Sequence, residues 1–218
     1  MLLKHGLAGL THKAGGGVVF SDNFNRTNEA LEASANWNER FVEGGTTWDI
    51  VSNAARCNPP TGTNLEGTQS IAAALANNCY AIGEYSGDSG TLASNTAFAC
   101  VILRYGLSGS DNTGYSAEIR HLSDNSWEVR AGILTTGVWP GAYVAANWVI
   151  PGGPSVGDRV RLNCNGTTIS VDYDDGGGWV ERITGTDATH ASGDGAIGGM
   201  GSAAGRWIGF DSVEFGNL

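Results

Sequence analysis

The chain has 218 residues, 34 of them glycine, and carries a formal net charge of −10. Glycine at about twice its usual share, without a collagen-like period, fits many short strands joined by tight turns. The acidic body argues against non-specific nucleic-acid binding, and no apolar run approaches the roughly 18–20 residues of a membrane span.

The charge is unevenly placed. Residues 1–17 contain Lys4 and Lys13 and no acid, while the remainder has ten Arg against 22 Asp and Glu. Lys4, His5 and Gly6 interrupt the apolar start too early for a secretory h-region. Leu2, Leu3, Leu7 and Leu10 are apolar in a segment too short for a core of its own, and Gly15–Gly17 forms a flexible joint. Residues 1–17 are therefore expected either to be a disordered tail or to be an arm that orders against a partner. In the second reading Leu2, Leu3, Lys4, Leu7, Leu10 and Lys13 are the docking residues.

Val18-Val19-Phe20 opens the body as a strand. A single helical turn is expected near Glu29–Ala35, then a strand over Thr46–Val51, a turn at Ser52-Asn53 and a return over Ala54–Cys57. Pro59-Pro60 breaks pairing, and a loop is expected to run to about Thr68. Cys79–Tyr85 and Thr96–Tyr105 are further strands. Ala97–Leu103 is apolar on both faces, which predicts a central strand covered on both sides. Gly106–Thr113 reads as a turn-rich loop.

Tyr115–His121 and Trp127–Ile133 alternate cleanly. Antiparallel pairing sets Ile119 opposite Val129, Ala117 opposite Ala131 and Tyr115 opposite Ile133. The same register sets Glu118 opposite Arg130 and Arg120 opposite Glu128, on what should be the solvent face. A second hairpin spans Asp158–Tyr173, with Asn165-Gly166 as the centre of a type I′ turn. That turn would face Leu162 to Ile169, Val160 to Val171 and Arg159 to Asp172. Trp179–Ile183, Ala196–Gly201 and Arg206–Phe215 complete the strands. The expected architecture is one all-β, two-sheet antiparallel sandwich over residues 18–218.

Several of these pieces together resemble the concanavalin A-like lectin/glucanase superfamily, including its laminin-G-like modules. They are Phe20-Ser-Asp-Asn-Phe-Asn-Arg26, Trp37, Thr47-Trp48-Asp49, the Gly114–Ile133 hairpin, Arg159–Asp172 and Trp207–Phe215. The resemblance covers nearly all of residues 18–218 and is closest to modules of phage and bacterial surface proteins. It implies a jelly roll whose first and last strands lie side by side. It does not imply one function, because such folds bind sugars, bind proteins, cleave glycans or build particles.

Hydrolysis on this fold would need two carboxylates flanking the scissile bond. The glucanase branch places its acids alternately along one strand, and no such run exists here. Asp172, Asp174 and Asp175 are the nearest cluster and read as a solvated turn. Sugar binding would use exposed aromatic faces, for which Trp139, Tyr143 and Trp148 are the candidates. The resemblance also raises a structural calcium between first and last strands, with Asp22 and Asp211 as ligands; ordinary surface aspartates are the alternative.

The cysteines Cys57, Cys79, Cys100 and Cys164 form no CxxC motif, so a zinc site is not expected. They are either buried thiols or one of three disulfide pairings. The reading that unites these features is a non-enzymatic structural or surface-display protein, a virion component with a lectin-like domain on an N-terminal arm. Its expected partners are other protein subunits, including copies of itself, and neutral glycans. A free carbohydrate-binding module is the alternative, and a glucanase-type hydrolase the third.

Overall fold

The structure is a computed structural model that describes residues 17–42, 47–58, 65–71, 73–89, 97–108, 111–135, 138–201 and 207–218. The first half of the chain forms β1 (Val18–Asp22), β2 (Glu29–Ala30), a single 3-10 turn (Leu31–Ala33), β3 (Trp37–Val42), β4 (Thr47–Val51), β5 (Ala54–Asn58), β6 (Leu65–Ile71), β7 (Cys79–Asp88) and β8 (Ala97–Ser108). The second half forms β9 (Asp111–His121), β10 (Trp127–Thr135), β11 (Val138–Tyr143), β12 (Trp148–Val149), β13 (Arg159–Asn165), β14 (Thr168–Asp174), β15 (Val180–Thr186), β16 (Asp194–Gly201) and β17 (Ile208–Asn217). Residues 1–16, and with them Leu2, Leu3, Lys4, Leu7, Leu10 and Lys13, lie outside the described residues.

The strands make two antiparallel sheets, as the alternation predicted. One runs β15-β14-β13-β7-β17-β5-β4-β2, with β1 also paired to β17. The other runs β11-β10-β9-β8-β16-β6-β3, with β12 paired to β10. The first and last strands are neighbours: Val18 faces Gly216 and Asp22 faces Val213, and Asn217 N donates to Gly17 O at 3.1 Å.

The inner faces share one core. Trp48 stacks parallel to Phe210 with ring centres 6.4 Å apart, and Phe20 meets Trp37 edge-on at 5.3 Å. Val101, Leu103, Tyr115, Ile119, Leu162 and Val171 join the same cluster. Burying each large apolar side chain contributes about 1.5–3 kcal/mol. β8 is covered on both sides, because Phe98, Cys100 and Ile102 on its outer face join a second cluster with Leu134, Ala196 and Met200.

The β9–β10 register is the expected one at every pair, from Trp127–His121 to Leu134–Gly114. The β13–β14 register is displaced by two residues. Arg161 faces Asp172 and Arg159 faces Asp174, while Leu162 faces Val171. The turn residues are Gly166 and Thr167, and Gly166 alone has positive φ, at 58°. Glycine thus occupies the first central position, as a type II′ turn requires, instead of the second position of a I′ turn. The two successive positive φ angles of a I′ turn occur at Ser52 (55°) and Asn53 (65°), between β4 and β5.

Two expected loops hold strand, and so does the segment around Pro140. β6 begins at Leu65, where its backbone is held by pairing with both β3 and β16. β8 and β9 continue through the supposed loop to Ser108 facing Asp111, with a register shift between Leu103 and Gly106. The Val138–Tyr143 region is β11, and its Pro140 is tolerated on an edge strand that needs no outward amide bond.

Candidate functional site

Trp148 is placed by β12, where it faces Val129 of β10, so its ring points inward towards the space between the sheets. There it meets Tyr173 of β14 at 5.1 Å between ring centres. The Arg182 guanidinium lies 4.3 Å from the centre of the Trp148 ring. Arg182 is the extra residue of a bulge in β15: Val171 faces Ile183, while Asp172 faces Glu181. A bulge re-aims one side chain out of strand alternation, and here it turns a cation onto an indole.

The segment after β12 folds back on glycine. Gly152, Gly153 and Gly157 have φ of 78°, 82° and 95°, and a Cβ on Gly153 would sit 2.9 Å from Trp127 Cδ1. The segment ends at Asp158, buried, whose Oδ2 accepts from Ser155 N at 2.9 Å and from the Tyr173 hydroxyl at 2.7 Å. Burial, and then the bond to Asp158, push the Tyr173 phenol above its ordinary range, so it stays a donor.

These pieces enclose a cleft of about 440 Å³ lined by Trp148, Pro151, Ser155, Tyr173, Asp175 and Arg182. That volume is within the range of small-ligand pockets. Among the described residues Arg182 has no ion-pair partner, and the exposed Asp175 accepts only from Gly177 N, at 3.2 Å. The cleft therefore presents an aromatic wall, a flat cation and a carboxylate. That set can bind hydroxyls. With Asp158 committed to Tyr173 and Ser155, it holds one uncommitted carboxylate where glycoside hydrolysis asks for two.

Of the aromatic candidates whose side chains are described, Trp148 lies in this cleft and Tyr143 does not. Tyr143 faces Gly132 on the outer side of the eight-stranded sheet, 41 % exposed, where its hydroxyl accepts from Arg130 Nη1 at 2.5 Å. Trp139 takes its backbone place on β11; its side chain is not among those the structure describes. Tyr143 and Trp148 point to opposite faces of the same sheet edge, so they cannot form one platform. Arg182 and Ser155 are absent from any sequence pattern that would mark them, because only topology brings them to Trp148.

The charge pairs of β9 and β10 are not on a solvent face. Glu118 is 0 % and Glu128 4 % exposed. Phe98 and Ile102 of the adjacent β8 make that face half apolar, and the Arg120 guanidinium lies 5.5 Å from the Phe98 ring centre. Glu118 Oε1 accepts from Ser116 Oγ at 3.1 Å, and Oε2 lies 3.5 Å from Arg120. Glu128 pairs with Arg130 and accepts from Asn147 Nδ2 at 2.9 Å. Burial holds the Glu118 carboxyl above its usual range despite Arg120.

The Asp172–Asp175 cluster is likewise not a solvated turn. Asp172 is paired with Arg161 and Asp174 with Arg159, both carboxylates being buried, and both guanidinium groups lie beside the Trp179 ring. Asp175 alone is exposed.

No family model matches the chain, and no curated protein matches its sequence. Solved structures do. The Ca2+/Man3GlcNAc-bound exoplasmic/lumenal domain of VIP36 aligns at TM-score 0.60 with 12% identity, covering 88% of this chain and 90% of that one. The potassium-bound carbohydrate recognition domain of Emp46p aligns at 0.62 with 10% identity, covering 89% and 94%. The CBM2 module of the evolved Dit protein of Lactobacillus casei BL23 phage J-1 aligns at 0.60 with 12% identity, covering 92% and 95%. The chain has a concanavalin A-like fold. At these identities the likeness is one of fold.

Within this concanavalin A-like sandwich, Asp22 and Asp211 do different work from the expected calcium pair. Asp22 accepts from Phe24 N (2.8 Å), from Arg26 Nη1 at both oxygens (2.7 and 2.9 Å) and from Trp37 Nε1 (2.9 Å). A carboxylate already neutralised by a guanidinium does not fit a calcium ligand. Asp211 lies near Arg56 and Glu84, and burial followed by Glu84 holds it above its usual range. Among the described residues no three His, Cys, Asp or Glu side chains gather as a metal site.

Proposed function

We propose that this chain is a non-enzymatic glycan-binding module displayed on a particle surface, with the cleft beside Trp148 as its sugar site. The observation that carries the reading is Arg182 stacked on Trp148 beside the exposed Asp175. An apolar ring suits the C–H face of a pyranose, while the guanidinium and carboxylate suit its hydroxyls. The net charge of −10 favours neutral sugars over polyanionic ones. The lectin and carbohydrate-binding-module names of the structural neighbours support the same class, as do the mannose glycan in VIP36 and the phage origin of the Dit module. Some of these neighbours hold Ca2+ or K+, so a structural cation is in keeping with the fold, though not on Asp22.

A panel of neutral oligosaccharides tests the site. Wild type should bind at least one, with Trp148→Ala and Arg182→Ala each weakening binding by about tenfold or more. Binding unchanged in both variants would move the site elsewhere, and no binding by folded wild type would end the reading. The free-module alternative shares this outcome and differs in location.

The display reading rests on the phage neighbour and on the basic, leucine-bearing segment before the sandwich. Peptide mapping of purified virions or cell envelopes should find the chain there. Removal of residues 1–14 should leave the sandwich folded and abolish incorporation or self-association. Normal assembly of the truncated chain, or a purely cytoplasmic location, would defeat it.

A further inference from the structure

We propose that Cys79 and Cys164 form a redox-active pair that closes to an internal disulfide by exchange with a low-molecular-weight disulfide. The two are direct cross-strand partners on β7 and β13. Facing residues of an antiparallel pair have Cα atoms about 4.5–5.5 Å apart, inside the roughly 4.4–6.8 Å that a disulfide spans. Both side chains join the core cluster and both are fully buried, and the Cys79 thiol donates to Asn77 O at 3.9 Å. Closure therefore needs no strand to move.

The surroundings favour a thiolate. Arg104 is 3% exposed, yet its guanidinium donates only to backbone carbonyls: Asn77 O (3.1 and 2.8 Å), His190 O (2.8 Å) and Gly166 O (2.7 Å). Among the described residues it has no carboxylate partner. Its charge thus stands unneutralised between the two backbone segments that carry the cysteines, Asn77 two residues before Cys79 and Gly166 two after Cys164. The neighbouring Cys164 thiol, opposed by burial and aided by Arg104, holds the Cys79 thiol below its usual value. Arg104 also donates twice to Asn77 O, on the Cys79 side, so Cys79 is the sulfur beside the cation and the attacking one.

Neither sulfur lines the cavity next to the pair, so the reagent reaches them by local opening of the hairpin turn. That cavity, of about 330 Å³, is lined by Asn77, Asn78, Gly166 and Thr167 from the segments that carry the cysteines, with Arg104 and His190. Gly166 N donates to Asn78 Oδ1 at 2.9 Å, so one exposed side-chain bond ties the hairpin turn to the segment before Cys79. In the reaction, the Cys79 thiolate attacks a sulfur of the small disulfide and expels one small thiolate. The Cys164 thiolate then attacks the mixed disulfide at the Cys79 sulfur and expels the second. Two electrons pass to the reagent, and the two protein thiol protons go to the two released thiolates. Cys57 and Cys100 take no part: they lie on β5 and β8, and the Cys100 thiol donates to Gly198 O at 3.3 Å.

The test uses the full chain, equilibrated with defined mixtures of oxidised and reduced glutathione, then unfolded, alkylated and mapped by mass spectrometry without reduction. The expected product is a linked peptide pair containing Cys79 and Cys164, with Cys57 and Cys100 alkylated. The melting temperature should rise by about 5–15 °C on oxidation and fall back with dithiothreitol. Cys79→Ser and Cys164→Ser should each abolish the shift; if either fails to fold, the wild-type peptide map decides alone. Two free thiols in fully oxidising buffer, a persistent glutathione adduct, or linkage to Cys57 or Cys100 would overturn the proposal.

Discussion

The Arg182 guanidinium lies 4.3 Å from the centre of the Trp148 ring, and the contact joins the two sheets, since β15 belongs to one and β12 to the other. Its worth depends on a flat cation. Arg182→Lys keeps the charge but loses the planar face, so it should cost glycan affinity nearly as much as Arg182→Ala. Isothermal titration against the best neutral oligosaccharide measures this; full affinity in the lysine variant would assign the role to charge alone.

The displaced hairpin turn makes its own prediction. Gly166→Ala forces a side chain to φ 58°, where no neighbour lies within 4 Å of a Cβ, so its cost of about 1–2 kcal/mol is conformational. Asn165 is not at positive φ, and Asn165→Ala should change stability by less than about 0.5 kcal/mol. Urea unfolding of the two variants distinguishes this turn from a I′ turn, in which both residues would matter.

Gly83 of β7 holds the core open for an aromatic ring: a Cβ there would lie 2.6 Å from Phe210 Cε1. Gly83→Ala should therefore destabilise by about 1–3 kcal/mol, an overpacking cost. A midpoint unchanged in denaturant would show that Phe210 can withdraw freely.

Acid should act through Asp174. Burial opposes its charge, but Arg159 and the amides of Gly178 (2.8 Å) and Gly176 (2.9 Å) hold its carboxyl below the ordinary value. A depressed folded value gives stability that is present above the unfolded value near pH 4 and is lost as pH falls through the folded one. Asp174→Asn should cost about 1–3 kcal/mol at pH 7 and flatten the acid limb. Glu118, raised by burial, has the opposite sign: its contribution is full at low pH and is lost as pH rises. In Glu118→Gln the part of the stability gained as pH falls towards the unfolded value near pH 4 should disappear. Urea titrations across pH 3–8 check both.

The β9–β10 register was legible because apolar pairs and charge pairs each select it. The β13–β14 register was not, because a two-residue slip leaves every side chain on its own face. Asp172 and Asp174 both offer Arg159 an opposite charge, so the pattern is degenerate, and the turn decides. The face of Glu118 misled for a related reason: charge argues for solvent, yet apolar β8 beside it and two arginines on β9 and β10 satisfy it in burial. At the site, aromatic residues were legible singly. Their grouping was not, because Tyr143 and Trp148 turn to opposite sides and Arg182 arrives through a bulge.

The antiparallel pairing of β1 with β17 has a mechanical consequence. The chain enters the sandwich at Gly17 beside the point where Asn217 leaves it, joined by the 3.1 Å bond between them. A load applied across those two ends would open the ladder one bond at a time instead of shearing all of it together. Force spectroscopy should then show detachment of β1 at low force when the domain is pulled through residues 17 and 218. Pulling through residues 17 and 175, which lie at opposite ends of the strands, loads the ladder along its length and should resist more. A module tethered through residues 1–17 and tugged by a ligand in the Trp148 cleft would carry its load along that second kind of path, with its weakest seam spared.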